Sequence, residues 1–246
     1  MVKYPSDWPA DGPIDLTKHD LPHGSSSTEW WYINCHVETA SGRKVSLFAS
    51  FFRIIAERDE ETGENIHAHS LTWAMADAGA KTYVGESRVD RKAPRLGLKR
   101  IDRGEGASDK RLQRAMKEVL LKDNVPYPDR MFESEVWVSD RKLDLDFAGN
   151  RYEKLDDGRY HLVLFDHEQN IGADLFLTPQ KPPARHGNNG VVKSVHGEDM
   201  FYYFIARNEV TGTVTLKTGE EPASGSGWYD HEFGCHVFDT AALQAP

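Results

Sequence analysis

The chain has 246 residues, enough for one large or two small domains. Its 30 lysines and arginines stand against 39 aspartates and glutamates, a formal net charge of -9, which disfavours a nucleic-acid groove or an anionic membrane surface because both need clustered cations. Hydrophobic residues at 39% and charged residues at 28% suit a globular fold; no apolar signal segment or bilayer-length apolar run occurs, so no membrane span and a cytoplasmic location with reduced thiols are expected.

Residues 1–27 are rich in Pro, Asp, Gly and Ser and read as an extended N-terminal segment. A β domain is expected over 28–246. TEWWYINCHVET (28–39) and RKVSLFASFFRII (43–55) carry aromatic and β-branched residues around a turn-like ASG, the pattern of an antiparallel hairpin. HAHSLTWAMAD (67–77) and KTYVGESRV (81–89) continue as strands. The basic run Arg88–Arg103 is interleaved with Asp90 and Asp102 and reads as a solvated loop. In 108–123, Leu112, Ala115, Met116, Val119 and Leu120 recur at helical spacing, with Ser108 as the expected cap. Strands resume over 133–140, 142–149, 158–166 and 170–179, several in strict alternation. QKPPARHGNNG (180–190) reads as a loop, and 201–219 as a hairpin turning at Thr211-Gly212. GSGWYDHEFG (225–234) follows. Many short strands and one amphipathic helix predict an all-β fold, an antiparallel barrel or sandwich with that helix inserted at about 108–123. No glycine loop follows a strand and opens a helix, so nucleotide-binding motifs find no support.

Three chemistries compete for the polar residues. His67 and His69 share one strand face. HEFGCH (231–236) is a broken zincin string, its histidines five apart rather than four and its context not helical; no metal is expected. For a hydrolase, GSG lacks the nucleophile-elbow spacing. Cys35 and His36 point to opposite faces of a strand, which leaves Cys235 paired with some distant histidine. Acid–base chemistry is the third. On a strand Trp228, Asp230 and Glu232 share one face and Tyr229, His231 and Phe233 the other. If the first face lines an apolar hollow, Asp230 loses hydration and its pKa rises, which suits a proton donor to an activated alkene; the bland alternative is a buried Asp holding a turn. Glu29 and Trp31 likewise share a face, with Trp30 on the other, and an aromatic wall with a lone carboxylate suits a conjugated or cationic ligand.

STEWWYINCHV (27–37, with Ser27 leading) and GSGWYDHEFG together resemble motifs of the hydroxyneurosporene synthase (carotenoid 1,2-hydratase, AttH/CrtC-type) lipocalin-like family, and the aromatic strand FYYFIARNEVTGTV adds to the likeness. The resemblance spans about His23 to Gly234. It implies a lipocalin-like barrel, ordinarily two in tandem, and cofactor-free chemistry on a hydrophobic polyene or polyketide-like molecule, either acid-catalysed hydration or a Diels–Alder-type cyclisation in specialised metabolism. It places the proton donor at Asp230, with Trp228 facing a carbocation. His231 orients or relays and Glu29 activates water in this scheme. Trp30, Trp31, Tyr32, Trp73, Tyr203, Trp228 and Tyr229 form the ring-lined wall. Only a dozen residues follow the late motif, so this chain is expected to be a first half, completed by a missing second domain or by another copy in a homo-oligomer. A non-catalytic carrier of a lipophilic ligand and a hydrolase stand as alternatives.

Overall fold

The computed structural model describes residues 7–8, 12–104, 107–187, 189–193 and 199–234. Four long strands come first: β1 (Thr28–Thr39), β2 (Lys44–Arg58), β3 (Asn65–Asp77) and β4 (Thr82–Val89). Two helices follow, α1 (Ala93–Asp102) and α2 (Lys110–Leu120). Then come β5 (Arg130–Met131), β6 (Val136–Val138), β7 (Asp144–Phe147), β8 (Asn150–Lys154), β9 (Tyr160–Asp166) and β10 (Ile171–Pro179). The short β11 (Ala184–Arg185) and β12 (Val191–Lys193) precede the longest pair, β13 (Asp199–Leu216) and β14 (Gly219–Gly234). Among the described residues no helix is long and apolar enough to cross a membrane.

One sheet contains every strand. Its path of twelve runs β5-β4-β3-β2-β1-β14-β13-β10-β9-β8-β7-β6, with β11 and β12 paired to β13 off the path. All pairings are antiparallel except β4 with β5. The path's two ends are consecutive in the chain, separated only by residues 132–135. The sheet therefore curls into a half-barrel. Rings rather than a ladder bridge its open side: Phe147 of β7 meets Phe51 at 5.2 Å, His69 at 5.4 Å and Phe132 at 5.8 Å between ring centroids.

Alternation sets the inward face. β9 (YHLVLFD) buries Tyr160, Leu162, Leu164 and Asp166 and leaves the residues between them partly exposed. Trp31, Trp73, Tyr152, Tyr203, Tyr229 and Phe51 are fully buried. The expected ring-lined hollow is thus occupied by its own rings; large aromatics fill the space that a larger barrel would leave to a ligand. Residues 12–27 lie across one end. Asp20 and His23 are buried there, and the His23 ring stacks on Phe233 at 3.4 Å.

Several sequence expectations are corrected. Arg88–Arg103 is not a loop throughout: α1 starts with Pro94 in its first turn, where a missing N–H costs nothing. Only Pro94 is buried in it, and Arg95 and Lys99 pair with Glu57 of β2, so charge hid the period. Two helices, not one, form the insertion, and the cap of α2 is Asp109, whose carboxylate accepts from the Arg111 and Leu112 N–H groups. β8 went unread because in NRYEK only Tyr152 is an apolar inward residue. No turn occurs at Thr211-Gly212: β13 passes straight through and reverses after Leu216. Gly212 is there for close approach, since a Cβ would sit 2.1 Å from the Asp174 carbonyl oxygen of β10.

Candidate functional site

β14 lies between β1 and β13, so its two faces carry the two halves of the late motif. Tyr229, His231 and Phe233 point into the half-barrel and are fully buried. Trp228, Asp230 and Glu232 point outwards. This reverses the expectation that the Asp230 face lines the interior. The residues expected to form one site divide accordingly. Glu29, Trp31, Trp73, Tyr203, Tyr229 and His231 are inside, whereas Trp30, Tyr32, Trp228 and Asp230 are on the outer surface of the sheet.

Inside, the Glu29 carboxylate is the hub. It accepts from His23 at 2.8 Å and from His231 Nε2 at 2.9 Å, both on Oε1, while Arg53 Nη2 lies 2.8 Å from Oε2. Burial alone would push this carboxyl up. The hydrogen bonds of His23 and His231, and the charges of His231 and Arg53, outweigh it and hold the pKa at about 2. Burial drives His231 the other way, below the usual histidine range. Tyr203 hydroxyl lies 2.9 Å from His231 Nδ1 and 2.5 Å from Asp20 Oδ1. Asp20 also accepts from Tyr229 at 2.9 Å and from Tyr160 at 2.6 Å. The N-terminal segment is therefore pinned into the barrel end by tyrosine hydroxyls. Among the described residues, His23, Glu29 and His231 are the one group whose donor atoms lie close enough, within 4.8 Å, to hold a metal. The Arg53 guanidinium already supplies the positive charge that such a set would recruit. An ion-pair network centred on Glu29 is what this geometry builds.

Outside, register assembles a different surface. Across four strands, Phe52, Trp30, Glu232 and Tyr202 form one row, and Ser50, Tyr32, Asp230 and Phe204 the next. Each carboxyl is thus flanked by rings on both neighbouring strands. Trp228 stacks on Phe204 at 4.7 Å, and Trp30 meets Phe52 in a tilted contact at 5.3 Å. Asp230 is 9% exposed, and its Oδ1 accepts from Trp228 Nε1 at 2.5 Å and from Tyr202 hydroxyl at 2.8 Å. Burial raises the Asp230 pKa, opposed by those two hydrogen bonds. Among the described residues Glu232 has no such donors. Burial, with the Asp230 charge added, pushes it up to about 7. Sequence reasoning placed Glu232 on this face but gave it no role; what could have found it is its i, i+2 spacing from Asp230, which puts two carboxyls on one strand face. Tyr202 and Arg53 were missed as well, since nothing local marks a partner supplied by another strand.

A carboxyl raised in the folded state binds its proton more tightly there than in the unfolded chain. Stability therefore falls as pH rises from the ordinary 4.5 through about 7. Glu232→Gln removes that penalty. We expect it to leave the denaturation midpoint unchanged near pH 4 and to raise stability above pH 7 by about 1–2 kcal/mol, discounted for partial solvent access. A pH-independent difference would contradict the environment described.

Cys35, already set aside as a nucleophile because His36 faces away from it, is also shielded. Cys35 is fully buried, and burial pushes its pKa up to about 12. Native protein should not be alkylated at Cys35 by iodoacetamide at neutral pH, whereas unfolded protein should be, as peptide mass spectrometry would read. Cys235 and His236 lie outside the described residues. His67 and His69 share a face of β3, and burial lowers His67 to about 4.

Comparison with known proteins follows the same lines. In solved structures the fold matches an AttH protein of Nitrosomonas europaea with a TM-score of 0.63 at 16% identity, covering 93% of this chain and 58% of that one. It also matches kievitone hydratase of Nectria haematococca with a TM-score of 0.57 at 11% identity, covering 92% and 53% respectively. The chain thus spans somewhat more than half the length of these two proteins. No curated protein sequence matches it. The AttH-like family pattern matches residues 8–243, nearly the whole chain, and the chain belongs to the AttH-like family.

Proposed function

We propose that the outer face of β1, β2, β13 and β14 is the active surface of a hydratase-type enzyme that adds water across an alkene of a hydrophobic small molecule. The observation that carries this reading is the pair Asp230 and Glu232, set two residues apart between rows of rings. Two carboxyls with unequal surroundings divide the work. Asp230, held by Trp228 and Tyr202, is the carboxylate. Glu232, with a pKa of about 7, carries the proton. Glu232 gives its proton to one alkene carbon. The cation that develops on the other carbon faces the electron-rich rings of Trp30, Tyr32 and Trp228. Water attacks that carbon as Asp230 takes one of its protons, and transfer from Asp230 to Glu232 restores the pair. The product is the alcohol, and no other reagent is consumed.

Likeness in fold to a hydratase agrees with this chemistry. Cyclisation by templating needs a shaped cavity and little acid–base machinery, whereas the inward face carries fully buried rings and the acid pair lies on the outer face of the sheet. A carrier of the lipocalin sort is disfavoured on the same ground. The deciding experiment incubates the protein with a panel of hydrophobic alkenes in isotopically labelled water. A product heavier by one labelled water supports the reading; an isomer of unchanged mass, or substrate bound and returned intact, refutes it.

A further inference from the structure

The aromatic rows continue into a furrow where the same strands carry small residues. Its first part is a depression of about 760 Å³ lined by Asn34, His36, Ser226, Trp228, Lys181 and Arg207 among others. A second depression of about 890 Å³ continues it past His36 along Ser224 and Ser226, but Glu38 lines that part beside Lys44, so an anion would be held in the first depression. Trp228 belongs to both surfaces: its ring borders the furrow and its Nε1 donates to Asp230.

No aspartate or glutamate lines the first depression, although the chain has nine more acidic than basic residues. Two cations do line it, and neither enters an ion pair among the described residues. Their placement is built. The pairing of β13 with β14 slips between Ile205 and Asn208, a bulge that pushes Ala206 and Arg207 out of the ladder. Asn208 is fully buried, and its Nδ2 donates to the carbonyls of Ile205 and Gly227 at 3.2 and 3.3 Å, which holds the bulge. The Gln180 N–H donates to the Arg207 carbonyl at 2.9 Å, fixing the loop that carries Lys181 beside it. Bulges re-aim side chains next to active sites, and this one sets Arg207 on the furrow wall.

We propose that the first depression of this furrow is the subsite for an anionic head of the substrate, held by Lys181 and Arg207. Resting on the hydratase reading above, this makes the substrate an amphipathic acid: its apolar alkene end lies over Trp30, Tyr32 and Phe204 beside the carboxyl pair, and its carboxylate or other oxyanion lies between the two cations. Arg207 offers the planar fork that suits an oxyanion, and Lys181 a mobile point charge.

Two dyes with the same rings test it by fluorescence titration: anilinonaphthalene sulfonate, an anion, and neutral phenylnaphthylamine. The sulfonate should bind roughly tenfold more tightly than the neutral dye, the scale of a charge-assisted contact. The Lys181→Gln/Arg207→Gln double variant should erase that preference and leave the neutral dye unchanged. Both residues are exposed, so folding is not at stake, and circular dichroism checks it. Equal affinities in the wild type, no sulfonate binding, or a preference that survives the double variant would overturn the proposal. Failure of the platform itself is read separately: Trp228→Ala should weaken the neutral dye, and an unaltered neutral-dye affinity counts against the aromatic surface rather than against the cations.

Discussion

Glu232→Gln is expected to cut alkene hydration by between about a hundredfold and ten-thousandfold, the usual contribution of a positioned general acid. The amide keeps the size and hydrogen-bonding reach of the side chain and removes its transferable proton, so binding should persist while turnover falls. The pH profile carries a second reading. The rate should drop above about pH 7 as Glu232 loses its proton. It should also drop at low pH, as Asp230 gains one. Part of the Glu232 shift comes from the Asp230 charge. Asp230→Asn should therefore move the alkaline limb to lower pH as well as slow the reaction, because the amide abolishes that charge. Unimpaired turnover in Glu232→Gln, or a rate that climbs above pH 7, would remove the carboxyl pair from the mechanism.

Glu29→Ala should be the most damaging change to stability, by about 3–5 kcal/mol. Glu29 is 1% exposed and is the counter-ion of Arg53, itself 9% exposed. Truncation leaves a buried guanidinium without its carboxylate and strips His23 and His231 of their shared acceptor. Denaturant midpoints would read the loss, and a shift of less than about 1 kcal/mol would contradict the network described. Replacing Arg53 by Leu in the same chain should recover part of the loss, since the stranded charge is the main cost. Because the folded pKa of Glu29 lies near 2, its contribution is complete above the ordinary 4.5 and disappears as pH falls through about 2. The wild type should therefore lose more stability than Glu29→Ala over that acid range.

These variants separate two sites that one motif joins. Asp230 and His231 are neighbours in the chain, yet one sits in an outward carboxyl pair and the other in an inward ion network. His231 thus positions the strand and the N-terminal segment, and the role first expected for it, orienting or relaying a proton for Asp230, has no path through the sheet. Glu29, expected to activate water, is likewise closed off beneath Trp31 and His231, whose rings stack at 4.9 Å.

Local pattern was enough for much of this. The β class, the hairpin of β1 and β2, the second helix and the family likeness all come from residues close together in the chain, where alternation and helical spacing act over a few positions. The same alternation correctly sorted Trp228, Asp230 and Glu232 from Tyr229, His231 and Phe233. What it could not decide was which set faces inwards. Both faces of β14 are rich in rings, so period-two hydrophobicity is nearly symmetric and carries no sign. Sheet curvature breaks that symmetry, together with the pinning of Asp20 and His23 over one end and the register of β14 between β1 and β13. The Glu29–Arg53 pair, the Tyr202 donor to Asp230 and the bulge that presents Arg207 belong to the tertiary structure for the same reason. Each joins residues on different strands, and pairing across a sheet is settled by how the whole chain packs rather than by any one segment.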